Sequence, residues 1–204
     1  MNFKQMLDED VVRPLIVINL VFFALQFFIG SMFTNNLMLS SQHFFTQPWR
    51  LLTHMFLHSP FTISHILFNM YALFIFGPLV QQVVGPKRFL QIYLGTGLIA
   101  AIVANSYHIF LNQTFTDLGA SGAIMGMLGV MIILIPRMKL LLFFFIPMPL
   151  WIAGILWFLL DTAGLFGYGI GGVANIAHLG GMISGLLIGL YLKKVKKVSV
   201  VMRY

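Results

Sequence analysis

Polar residues interrupt this chain rather than alternate through it. Six apolar runs, near 13–33, 62–84, 88–107, 120–136, 140–163 and 174–192, are separated by short segments that hold nearly all of the charge. A helix rises 1.5 Å per residue, so about 20 residues cross a hydrocarbon core roughly 30 Å thick. The pattern therefore predicts an all-α polytopic membrane protein with six transmembrane helices.

Composition agrees. Hydrophobic residues make up 59% of the chain and charged residues 8%, with a mean hydropathy of +0.94. A soluble domain carries about 25% charged residues. Six spans nearly exhaust the 204 residues, so residues 1–204 read as one membrane domain with short tails at about 1–12 and 193–204. Asp8, Glu9 and Asp10 precede the first run and no small-x-small site follows it. The first run therefore reads as a retained helix and not as a removed signal peptide.

The net charge of +7 raises nucleic acid as a partner. The basic residues, however, lie between and after apolar runs and form no basic, aromatic-interleaved surface for a phosphate backbone. They read instead as topogenic. With six spans, Lys4, Arg13, Lys87, Arg88, Arg137, Lys139, Lys193, Lys194, Lys196, Lys197 and Arg203 share one side, and only Arg50 falls on the other. The positive-inside rule then makes both termini cytoplasmic, in the plasma (inner) membrane. Cysteine is absent, which removes disulfides, thiolate nucleophiles and cysteine metal sites.

That orientation aligns four polar residues. The second, fourth and sixth helices would all run from outside to inside. His65 and Asn69 lie in the first turns of the second, Ser121 starts the fourth, and His178 lies in the first turns of the sixth. Ser121 to Pro136 covers about 24 Å at 1.5 Å per residue, less than the core thickness, which puts Ser121 below the outer surface. Unpaired backbone groups at that depth need a water-filled cavity above them.

Gly122 and Gly126 are four apart on the fourth helix, as are Gly181, Gly185 and Gly189 on the sixth. Small residues at this spacing let helices approach closely in lipid. His178 shares the face of Gly181 and Gly185, so a contact along these stripes would point it at Ser121. Ordinary glycine packing accounts for the glycines but leaves both polar residues unexplained. His65 and Asn69, at i and i+4, share a helical face. Alone they read as interhelical hydrogen-bonding glue. Beside Ser121 and His178 they read as oxyanion donors, with the free Ser121 amide at a helix N-terminus as a third.

Trp49-Arg50, His65 with Asn69 in an H-x-x-x-N pattern, Gly119-Ala120-Ser121-Gly122, and Ala177-His178 followed by Gly181 and Gly185 occur in that order. Together they resemble the rhomboid family of intramembrane serine proteases over nearly the whole chain. The resemblance implies a six-helix rhomboid-like bundle with Ser121 as nucleophile and His178 as general base, a dyad without the usual carboxylate. It implies an oxyanion hole of His65, Asn69 and the Ser121 amide. Trp49 and Arg50 resemble the family's membrane-embedded loop, the glycine-rich 164–172 stretch its cap, and the fifth helix a border of the lateral substrate route. It also implies single-span membrane proteins as substrates, the bilayer as a partner, and no cofactor or metal. Two positions depart from the pattern. Met125 stands where many members have a tyrosine stacked on the histidine, and Gln81 where an acidic residue is common.

The remaining residues carry less. His43, His54, His58 and His108 lack a carboxylate cluster for a metal, and His54 with His58 reads as hydrogen-bonding support for the cavity. Asp117 caps or orders the loop before Ser121, and Asp161 reads as structural. Phe143, Phe144, Phe145, Trp151 and Trp157 read as lipid-facing or core aromatics of the fifth helix. Two other functions compete with a protease. A non-catalytic rhomboid-like protein that binds membrane helices typically loses the serine or histidine, and both are present. A small transporter or channel would call for paired buried charges, and beyond the N-terminus only Asp117 and Asp161 are acidic.

Overall fold

Six principal helices form where the apolar runs lie, as seen in a computed structural model described over residues 10–142, 146–168 and 174–196. They are α1 (Val12–Ile29), α2 (Ile63–Val84), α3 (Pro86–Phe110), α4 (Ser121–Leu134), α5 (Leu150–Leu165) and α6 (Asn175–Lys194). Local chemistry sets their ends. The Asp10 carboxylate accepts the Val12 amide at 2.9 Å and so caps α1. Gly85, at φ +85°, stops α2, and Pro86 opens α3 at a position whose amide would be unpaired anyway.

Four helices, α1, α2, α3 and α6, are long and apolar enough to cross a membrane, and α4 and α5 are shorter apolar helices. The chain is a mostly helical, multi-pass membrane protein. Its outer surface is apolar, with Phe28 87% and Phe68 73% exposed, which suits contact with lipid.

The structure corrects three expectations. The first run breaks at Gly30 (φ +85°), and a separate short helix, Ser31–Leu37, follows. The fifth helix begins at Leu150 and not near 140, because strand β3 (Lys139–Leu142) pairs antiparallel with β4 (Ile146–Pro149). Pro147 and Pro149 lack the amide hydrogens that a helix interior needs, and this stretch takes the extended form. Phe143, Phe144 and Phe145 lie outside the described residues. Finally, the architecture is not purely helical, since β1 (Leu39–Ser40) also pairs with β2 (Thr116–Asp117).

The core is built around α4, buried at every position from Gly122 to Met131. A helix that is apolar all round belongs in the interior. It packs against α3 on one side and α6 on the other. Added to Gly122, a Cβ would lie 2.7 Å from the Ala100 Cβ. At Gly181 it would strike the Gly122 carbonyl, and at Gly185 the Gly126 carbonyl. Glycine is thus required along the α4–α6 seam by backbone-to-backbone contact. Lipid supplies no hydrophobic force between helices, so close van der Waals packing of this kind holds them together.

Gly185→Ala is therefore expected to destabilise the protein by about 1–3 kcal/mol through overpacking against backbone. Gly95→Ala, where an added Cβ meets nothing within 4 Å, is expected to be neutral or stabilising by up to about 1 kcal/mol. Thermal unfolding of both variants in detergent checks the contrast.

Candidate active site

The loop before α4 is anchored before the helix starts. Leu39 pairs with Asp117 and Ser40 with Thr116, while the Ser41 hydroxyl accepts the Phe115 amide at 2.9 Å. Gly119 donates its amide to the His54 carbonyl at 2.9 Å and adopts φ +135°, a conformation that side chains disfavour. Two residues later Ser121 opens α4.

Gly119 is also where the site is narrowest. A Cβ built there would lie 2.8 Å from His65 Nε2 and 3.9 Å from the Ser121 hydroxyl oxygen. The His65 ring and the Ser121 hydroxyl therefore flank one bare Cα. His65 Nδ1 accepts the Ser59 amide at 3.3 Å, so the ring proton belongs on Nε2, the nitrogen facing Gly119. Asn69, one turn along α2, donates from Nδ2 to the His65 carbonyl at 2.8 Å. That bond uses one of its two amide hydrogens.

On the other side, His178 occupies the first turn of α6, its amide bonded to the Ala174 carbonyl at 3.0 Å. The seam joins it to Ser121 through their neighbours. A Cβ built on Gly122, next to Ser121, would lie 3.8 Å from the Ala177 carbonyl, and Gly181, one turn past His178, sits on the Gly122 carbonyl. His178 Nδ1 lies 3.0 Å from Oδ1 of Asp161 on α5. Both residues are nearly buried, at 9% and 4% exposure.

The structure thus places Ser121, His178, His65 and Asn69 at corresponding ends of α4, α6 and α2. A model of the rhomboid domain matches residues 46–195 of this sequence. The chain belongs to the rhomboid family. It is 38% identical over 87 residues to a putative rhomboid protease, YdcA, of Bacillus subtilis, covering 43% of this chain and 41% of that protein. It is 32% identical over 190 residues to RHOMBOID-like protein 12, mitochondrial, of Arabidopsis thaliana, covering 85% and 56%. The rhomboid protease GluP of Bacillus subtilis is 33% identical over 137 residues, covering 67% and 24%. The chain spans only about a quarter to a half of the length of these relatives.

In this rhomboid chain Arg50 is 5% exposed. Its guanidinium donates to the Gln47 side chain and to the carbonyls of Asn35 and Met38. The charge folds the loop between α1 and α2 by gathering backbone carbonyls. Trp49, half exposed, donates from its indole to the Asn36 carbonyl at 3.3 Å. Gln81 acts elsewhere, its side-chain oxygen accepting the Val11 amide at 2.9 Å. That bond ties α1 to the far end of α2, so the Gln81 departure does not bear directly on the Arg50 loop. Met125 is buried in the main core.

Asp161 is the residue that sequence reasoning undervalued. A carboxylate inside an apolar helix is costly enough to signal function, but nothing in its spacing named a partner 17 positions away. The glycine-rich stretch read as a cap falls partly outside the described residues, at 169–173. Within the remainder, Gly164 packs so closely on the Asn175 side chain that a Cβ there would overlap it.

Three loop groups around the site have shifted proton affinities. Burial pushes His54 down to about 4, against bonds to the Arg50 and Leu51 carbonyls that favour protonation. Burial, and then the charge of His65, pushes His58 down to about 3. Neither ring nitrogen of His58 has a partner among the described residues, and its ring stands edge-on to His65 at 5.2 Å. Burial raises Asp117 to about 6, while the Leu118 amide and the charge of His178 pull it back.

The sign of the pH dependence follows. As pH falls through the ordinary histidine value of 6.5, the unfolded chain takes up protons that folded His54 and His58 refuse until about 4 and 3. Their contribution to stability is complete above 6.5 and is lost progressively below it. Asp117 acts in the opposite sense between about 6 and 3.8, but it is one group against two. The detergent-solubilised protein is expected to melt at lower temperature at pH 4.5 than at pH 7.5, and His58→Leu is expected to flatten that slope. Melting curves across the range check it.

Proposed function

We propose that this chain is an intramembrane serine endopeptidase, with Ser121 as nucleophile and His178 as general base. One observation carries the reading. Ser121 and His178 begin two helices that touch backbone to backbone immediately below both residues, at Gly122 and Gly181. His178 spends Nδ1 on Asp161, which leaves Nε2 as the nitrogen that can receive a proton.

In this reading Ser121 Oγ bonds to the scissile carbonyl carbon as its proton passes to His178 Nε2. The developing oxyanion meets the His65 Nε2 proton, the Asn69 amide and the backbone amide of Ser121 at the positive end of α4. Collapse breaks the carbon–nitrogen bond, and His178 returns the proton to the departing amine. Water then attacks the acyl-enzyme carbonyl and gives a proton to His178, which passes it to Ser121 Oγ as the acyl carbon–oxygen bond breaks and the carboxylic acid product leaves.

The same reading takes residues 1–204 as one membrane domain of six spans. Both termini are cytoplasmic and the site opens to the outer side of the plasma (inner) membrane. Substrates are single-span membrane proteins presented through the bilayer. The surface of α5 supports a lateral route, for only Leu150, Ala153, Gly154 and Asp161 of that helix are buried. An apolar groove of about 200 Å³ runs along it, lined by Trp151, Gly154, Ile155, Phe158, Met182 and others. The reaction needs no metal or cofactor.

A fluorophosphonate probe is expected to label wild-type protein at Ser121 and to leave Ser121→Ala unlabelled. Ser121→Ala and His178→Ala are each expected to abolish cleavage of a single-span substrate reconstituted in liposomes. A folded wild type that neither labels nor cleaves would favour a non-catalytic helix-binding protein. Asn69→Ala is expected to slow turnover by about 10²–10³-fold, the usual loss for one oxyanion donor, read as kcat in the same assay.

A further inference from the structure

We propose that Asp161 on α5 is the positioning residue of the catalytic histidine, completing an Asp161–His178–Ser121 relay where the family resemblance implies a dyad without a carboxylate. The inference rests on the proteolytic reading above and extends it to a residue outside the family motifs.

Asp161 Oδ1 stands 3.0 Å from His178 Nδ1, and the two side chains are only 5% and 11% exposed. A carboxylate accepts and cannot donate, so the bond requires the proton on Nδ1. That fixes the tautomer. With Nδ1 protonated, the lone pair is on Nε2, the form a general base must present.

The second reason is energetic. A carboxylate inside a membrane helix is expensive and survives where it is paired or used. Around Asp161 the helix is otherwise turned outward, with Leu159 58% and Leu160 56% exposed. Among the described residues Oδ2 has no hydrogen-bond partner, so the carboxylate's hydrogen bonding is directed to His178 alone. A stabilising cross-link gains little from so asymmetric an arrangement, since a half-satisfied buried charge returns less than apolar packing would. Holding an imidazole needs only one oxygen.

Asp161→Asn separates orientation from packing. It keeps size and burial, yet offers an amide that favours the opposite tautomer, with the proton on Nε2. The expected result is a fall in kcat of about 10²–10⁴-fold, with KM within about twofold and a parallel slowing of fluorophosphonate labelling at Ser121. The melting temperature should change less than in Asp161→Ala. A structural role would rank the variants the other way, with alanine more damaging to activity than the isosteric asparagine. Asp161→Glu should recover part of the lost kcat.

Nitrogen-15 spectra of histidine-labelled protein supply a readout independent of turnover. Wild type is expected to show His178 with its proton on Nδ1, and Asp161→Asn to lose that signature. Wild-type kcat in Asp161→Asn, or an unchanged His178 spectrum, would overturn the proposal. If the wild type cleaves and labels nothing, the proteolytic reading fails by itself, and the spectrum still decides whether Asp161 sets the tautomer.

Discussion

Direct backbone contact between α4 and α6 is the constraint from which the rest of this structure follows. At Gly181 and Gly185 an added methyl would overlap the carbonyls of Gly122 and Gly126. No side chain separates the two helices there. Helices this close hold whatever stands one turn above the contact at nearly fixed separation, and here that is Ser121 and His178. In water such closeness would compete with hydrophobic side-chain packing. In lipid that alternative gains nothing, because lipid tails are as apolar as leucine. The seam therefore serves stability and geometry together.

Precision at the top of the seam comes from the loops. The β1–β2 pairing, the Gly119 amide on the His54 carbonyl, and the Arg50 guanidinium on its carbonyls order the loop between α1 and α2 and link it to the start of α4. Gln26 adds a two-way clasp, accepting the His58 amide and donating to the His58 carbonyl, both at 2.9 Å. Each of these bonds pairs a backbone amide or carbonyl of the loops, a group that is costly to leave unpaired where it is buried. Buried neutral histidines at positions 54 and 58 extend the same logic, since protonating either would place a charge in a site removed from water. The loop is a rigid lintel over the site.

The sequence made the helices, the glycine seam and the four candidate residues readable, because each leaves a local mark. Apolar length marks a span, a four-residue glycine spacing marks a contact face, and an isolated hydroxyl or imidazole stands out at membrane depth. Little in the local sequence marked the pairing of Lys139–Leu142 with Ile146–Pro149. Lys139–Leu142 is as apolar as a helix, and only the spacing of Pro147 and Pro149 hinted that the fifth helix starts at Leu150. The Asp161–His178 bond was harder still to read. It depends on how α5 rotates against α6, which is a matter of packing and not of sequence spacing. Gln81 is a similar case, since its position near the end of the second helix was legible but its bond to the Val11 amide was not.

On the proteolytic reading proposed above, the same α5–α6 bond constrains how a substrate can reach the site. Within α5 only Leu150, Ala153, Gly154 and Asp161 are buried, so much of the helix faces away from the protein. Swinging it away from α6 would strip His178 of its acceptor and leave a carboxylate buried without a partner, a costly state. It would also free the imidazole to rotate at the moment a peptide bond arrives. Substrate access that keeps this contact, from above the site or past the other face of α5, leaves Nε2 aligned throughout. The carboxylate then has two consequences from one bond: the imidazole is held ready, and α5 is held against α6 whenever the imidazole is ready.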